Sequence, residues 1–106
     1  MTKEVKKKEE SCCSHGSAPS HGALEKYQDF MSAAMAPGKL DVVTKEIMAI
    51  ALGLAVHCVP CSRTHMEKAK KMGISNEEIE EAAALAVAFS GCRALMLWNE
   101  LKKELL

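Results

Sequence analysis

Apolar residues recur along most of this chain at intervals of three and four, the spacing that lines one face of an α-helix. In residues 21–36 the series is Leu24, Tyr27, Met31 and Ala34 or Met35. Pro37-Gly38 closes that segment. Asp41 is placed to cap a second helix running to about His57, and this one is apolar on most of its circumference (Val42, Val43, Ile47, Met48, Ile50, Leu52, Leu54, Val56). Such a helix must be covered on several sides. A third helix is expected from Val59. Pro60 lies in its first turn, where a missing N–H costs little, and Lys68, Lys70 and Lys71 suit its C-terminal end before the stop signal Gly73-Ile74. Ser75 and Glu78 form a capping box for a fourth helix carrying Ile79, Ala82, Ala83, Ala86 and Phe89. Ser90-Gly91 marks a break or a kink, and the pattern resumes over 92–106 with Leu95, Leu97, Trp98, Leu101, Leu105 and Leu106. The expectation is an all-α fold of about five helices over residues 21–106.

The first twenty residues follow no such period. A charged run, MTKEVKKKEE, leads into SCCSHGSAPSHG, and neither can build a core. Residues 1–20 are therefore expected to form a flexible tail. Nothing there resembles a secretory leader, and the longest apolar run, 47–56, is too short to span a bilayer. The 14 basic and 14 acidic residues cancel, which gives no electrostatic reason to expect nucleic acid or an anionic membrane as partner. At 106 residues one domain is expected, with a core modest enough that a second copy of the chain should cover part of the apolar surface.

The cysteines sharpen the picture. There are five: Cys12, Cys13, Cys58, Cys61 and Cys92. An odd number at irregular spacing argues against a secreted disulfide scaffold, and places the chain in a reducing, cytoplasmic setting where paired thiols do chemistry or hold metal. On one helix, Cys61 lies about 300° and His65 about 340° round from Cys58, so two thiols and an imidazole share one narrow stripe. The pair stands at a helix start, where free N–H groups and the dipole stabilise a thiolate, and two intervening residues let the sulfurs close a ring. His65, one turn beyond Cys61, is placed to relay a proton. Glu46 is the acidic residue of the apolar helix, and an antiparallel return brings it within about 6 Å of the level of His65. The working expectation is a relay of Glu46, His65 and the thiols.

Other readings of the same residues stay open. Cys58, Cys61 and His65, with His57 as a fourth ligand, suit a zinc or regulatory module without turnover. Inert buried thiols are a further option. His57 by itself reads as a helix C-terminal residue complementing the dipole, and Cys92, among apolar neighbours, as a small hydrophobe. Cys12, Cys13, His15 and His21 suit an unstructured tail, a soft-metal site or an electron relay. No glycine-rich phosphate loop follows a strand, so no flavin or nicotinamide cofactor is expected.

Glu46, Cys58-Val59-Pro60-Cys61 and His65 together spell Glu-x11-Cys-x-x-Cys-x3-His. The flanking segments TKEIMAIALGLAVHC and GISNEEIEEAAALAVAFSG extend the likeness over roughly residues 22–103. In this the chain resembles the AhpD-like, or carboxymuconolactone decarboxylase-like, family. The resemblance implies an all-helical homo-oligomer, commonly a trimer or hexamer. It further implies a Cys58–Cys61 couple that cycles between dithiol and disulfide, with Glu46 and His65 as its proton relay. Activity as a disulfide reductase or alkylhydroperoxidase component would follow, with a disulfide or peroxide as substrate and a thiol or lipoyl-type donor protein as reductant. One position departs from the pattern: peroxidase members carry a histidine just before the second cysteine, where this chain has Pro60. Decarboxylase members generally lack the cysteine pair, so their activity does not transfer with the resemblance.

Overall fold

The computed structural model describes residues 22–106; the expected tail, with Cys12, Cys13, His15 and His21, lies outside the described residues. Five helices follow one another: α1 (Ala23–Met35), α2 (Val42–Ala55), α3 (Val59–Lys71), α4 (Asn76–Ser90) and α5 (Cys92–Leu105). Every helix expected from the apolar period is present, with ends shifted by one or two residues.

The caps explain the boundaries. Asp41 Oδ1 accepts the Thr44 N–H at 2.7 Å to open α2, which holds the Asp41 carboxyl below its ordinary value. Ser75 and Glu78 form the full capping box at α4, the Ser75 N–H donating to Glu78 Oε1 and the Glu78 N–H to Ser75 Oγ. The break at Ser90-Gly91 is complete. Gly91 takes φ 77°, a left-handed conformation open to glycine, and α5 starts afresh beyond it.

α2 is the central helix, packed on one side by α3 and on another by α4, with α5 lying chiefly against α4. Ile50 and Leu54 of α2 meet Met66 and Ala69 of α3, the Ile79–Ala82–Ala83–Ala86 stripe of α4, and Ala94, Leu97, Trp98 and Leu101 of α5 in one core. The alanines let α4 approach α2 closely, and Ser90 Oγ donates to the Ala55 carbonyl at 2.7 Å where the two helices end. Arg63 forks onto Glu104 with bonds of 2.9 and 3.1 Å, tying α3 to α5 and holding the Glu104 carboxyl low.

α1 differs from the rest. It has no buried residue, and Lys45 Nζ on α2 secures its end by donating to the carbonyls of Ala34 and Ala36. Two expectations need correction. Cys92 is exposed, not a buried small hydrophobe. It stands in the first turn of α5, about 190° round from the inward stripe of Ala94, Leu97, Trp98 and Leu101. Phe89, at the end of the α4 series, is 87% exposed. The apolar circumference of α2 is also covered only in part, with Leu52 and Val56 outside.

Candidate functional site

The site begins with the way α2 ends. Val56 caps the helix, and His57 follows with φ 60°, left-handed and not glycine. The Cys58 N–H returns to the Gly53 carbonyl at 2.9 Å and the His57 N–H to the Leu54 carbonyl at 3.1 Å. These two bonds form a Schellman turn, which satisfies carbonyls that the helix end would otherwise leave open. His57 was expected as a last helical residue; it is instead the residue that reverses the chain.

That reversal delivers Cys58 to the N-cap of α3. Its Sγ accepts the Cys61 N–H at 3.3 Å, the bond a serine or threonine oxygen makes in an ordinary cap. Pro60 sits within the first turn, where its lack of N–H is harmless. Cys58 and Cys61 are joined in a disulfide, their Cα atoms 5.3 Å apart, and both are half-buried.

Beneath the pair, α2 and α3 touch through Gly53 and Ser62. A Cβ on residue 53 would stand 3.1 Å from Ser62 Oγ and 3.3 Å from the Ser62 nitrogen, so a side chain there would press on Ser62 by a few tenths of an ångström. Ser62 is fully buried, and its hydroxyl donates to the Cys58 carbonyl at 2.8 Å.

One turn along α3, His65 faces back across the seam. Its Nδ1 is hydrogen-bonded to Oε2 of Glu46, which has no exposed surface. Toward a carboxylate the ring acts as donor through Nδ1. The sequence argument anticipated this meeting of Glu46 and His65. Lys68 completes the group: its Nζ is 3.7 Å from Glu46 Oε1, an oxygen that is buried and makes no hydrogen bond. Lys68 was read from the sequence only as a helix-end cation. Yet at about 280° from Cys58 it lies on the same stripe as Cys61 and His65, and that spacing was the signal. Gly53 and Ser62 gave no such signal, because their roles come from one close contact between helices.

On the α5 side, His57 and Val59 line an open cleft of about 280 Å³ together with Arg93, Met96, Leu97 and Glu100. Among the described residues no group of three or more His, Cys, Asp or Glu side chains is disposed to hold a metal ion. His65 directs Nδ1 to Glu46, and the two sulfurs bind each other. No helix of the described residues is long and apolar enough to cross a membrane.

Comparison with known proteins agrees with this fold. The model of the carboxymuconolactone decarboxylase family matches residues 22–101. A family protein of Thermotoga maritima, for which an involvement in antioxidative response has been suggested, superposes with a TM-score of 0.73 at 32% identity, covering 77% of this chain and 70% of that one. A family protein of Legionella pneumophila gives 0.70 at 31% identity, over 76% and 71% of the two chains. An uncharacterized protein of Cupriavidus necator is 29% identical over 69 residues, 65% of this chain. The match spans 61% of that relative's length.

Proposed function

The chain belongs to the carboxymuconolactone decarboxylase family, and from that membership and its own site we propose that it is a thiol–disulfide oxidoreductase working through Cys58 and Cys61. The observation that carries this reading is the closed Cys58–Cys61 pair at the start of α3, with the Glu46–His65 pair one turn further along the same seam. Sulfur at an N-cap is favoured as an anion, because the N–H groups of the first turn point at it.

In the cycle, His65 Nε2 accepts the proton of one thiol, and the resulting imidazolium is held by Glu46. The thiolate attacks a disulfide R–S–S–R′, forming Cys–S–S–R and expelling R′–S⁻. The second cysteine attacks the protein sulfur of that mixed disulfide, closing Cys58–Cys61 and expelling R–S⁻. The two protons lost by the cysteines, one passing through His65, reach the two released thiolates. With a hydroperoxide, the first attack gives a sulfenic acid and an alcohol, and the second thiol closes the disulfide with loss of water. A dithiol donor, of the thiol or lipoyl-protein type, then reduces the pair. Pro60 leaves no histidine between the cysteines, which favours disulfides over peroxides as the faster substrate. The exposed Leu52, Val56 and Phe89 support a homo-oligomer, for which the family resemblance implies a trimer or hexamer, and the thiol chemistry suits the cytoplasm.

The test is a redox titration of the pair against a dithiol/disulfide buffer, read by thiol labelling and mass, followed by turnover with a model disulfide and with a hydroperoxide. Reversible two-electron closure and a turnover lost in Cys58→Ser and Cys61→Ser are expected. Failure to close, or closure without turnover of either substrate, would overturn the proposal.

A further inference from the structure

The relay of Glu46 and His65 leaves one charged neighbour without a task. Glu46 is fully buried, and a carboxylate so placed is costly unless its charge is balanced and both oxygens are served. His65 serves Oε2. Oε1 is buried without a hydrogen bond, and Lys68 Nζ lies 3.7 Å away, inside ion-pair range and just beyond hydrogen-bond reach. Among the described residues, His65 and Lys68 are the cation-forming groups within that range of Glu46.

The two differ in how they can answer one negative charge. Lys68 is three residues beyond His65 on α3, so both lie on the face turned to α2. Its side chain is 54% exposed, so its charge is partly solvated. His65 is 12% exposed and can balance Glu46 only by taking a second proton. A ring that has already taken that proton cannot accept one from a thiol.

We propose that Lys68 is a positioning residue of this site. Its ammonium balances the Glu46 carboxylate through Oε1, so His65 remains a neutral imidazole with Nδ1–H on Glu46 and Nε2 available as the proton acceptor. The consequence for catalysis rests on the redox reading above; the charge state of the ring does not.

The experiment is ¹⁵N NMR of the histidine rings in the full-length, disulfide-bonded protein at pH 7.5, with His65 assigned by its loss in His65→Gln. In the wild type the His65 ring should give the neutral Nδ1–H pattern. In Lys68→Met and Lys68→Gln its imidazolium fraction should rise about fivefold, the factor expected of one partly solvated charge pair, and Lys68→Arg should restore the wild-type pattern. Lys68→Gln keeps a donor near Oε1 without the charge, so it separates charge from hydrogen bonding. The reduced protein's reaction with 5,5′-dithiobis(2-nitrobenzoate) should slow in Met and Gln in proportion to the neutral ring lost, a smaller factor than the rise in imidazolium, and should not slow in Arg, with the reduction potential of the pair unchanged. An imidazolium in the wild type, or a ring spectrum indifferent to all three substitutions, would overturn the proposal. A wild type inert toward disulfides would sink the redox reading instead, and the ring spectrum would still decide the part played by Lys68.

Discussion

Two turns flank α3, and they share one plan. Each ends a helix with a Schellman pair of bonds around a left-handed residue, and each then opens the next helix with a side-chain cap. After α3 the parts are those that stability favours. Gly73 takes φ 87°, the Ile74 N–H returns to Ala69 and the Gly73 N–H to Lys70, and Ser75 caps α4 with Glu78 in return. Before α3 the same slots hold His57 in the left-handed position and Cys58 as cap. An imidazole there costs about 1 kcal/mol relative to glycine, and a sulfur at 3.3 Å is a weaker acceptor than a hydroxyl oxygen. The difference shows that the first turn gives up local stability to place two sulfurs at a helix start, on the helix that also carries His65.

The largest contrast lies in turnover. Cys58→Ser keeps a good N-cap and should leave the fold as stable as the reduced wild type, yet abolish disulfide turnover. Ser75→Ala, the matching change at the other turn, should cost ~1 kcal/mol of unfolding free energy and leave exchange untouched. Disulfide-reduction assays and denaturant titrations on both variants check this. Loss of activity in Ser75→Ala would break the division between the turns.

Next comes the carboxylate of each turn. Glu46→Gln should slow exchange by ~10- to 100-fold while the Cys58–Cys61 disulfide still forms, because the base is weakened and the sulfurs remain. Glu78→Gln should leave the rate alone and affect only thermal stability, since it serves a cap. Stopped-flow rates alongside thiol counts distinguish the two.

The left-handed residues should respond in opposite directions. Gly73→Ala forces a Cβ into that conformation and should destabilise by ~1–2 kcal/mol. His57→Gly relieves the same conformation and should stabilise by ~0.5–1 kcal/mol, with the fold retained. Equal signs in urea unfolding would refute the strain assigned to His57.

The smallest effect extends the comparison to a third helix start. The Thr44 N–H and hydroxyl hold the Asp41 carboxyl below its ordinary value. A carboxyl lowered in the folded state adds stability that is present above its unfolded value, near pH 4, and is lost as pH falls through its folded value. The wild type should therefore lose a small increment as pH falls below about 4 that Asp41→Asn lacks, as followed by melting temperature.

The site was partly legible in the chain. Cys58, Cys61 and His65 lie on one helix, so their shared stripe follows from 3.6 residues per turn. Glu46 required a further step, the antiparallel return of α3 onto α2, which helix periodicity alone does not supply. His57, Gly53 and Ser62 had no such warrant. A histidine after an apolar helix reads as an ordinary terminal residue, and only the paired bonds to Gly53 and Leu54 identify it as the left-handed pivot. Cys92 misled because its neighbours are apolar, whereas its own direction on α5 is set by where Gly91 restarts the helix.

By itself the sequence determined the five helices, the caps Asp41 and Ser75, and the stripe that carries the cysteines and His65. Those depend on period, capping chemistry and the conformational rules of glycine and proline, all of which act within a few residues. The tertiary structure decided what crosses between helices: that Glu46 is wholly buried, that Lys68 approaches its second oxygen, that Ser62 rests on Gly53, and that α1 and one side of α2 stay uncovered by this chain. Burial and long-range charge depend on which faces meet, and helix periodicity defines the faces without choosing their partners.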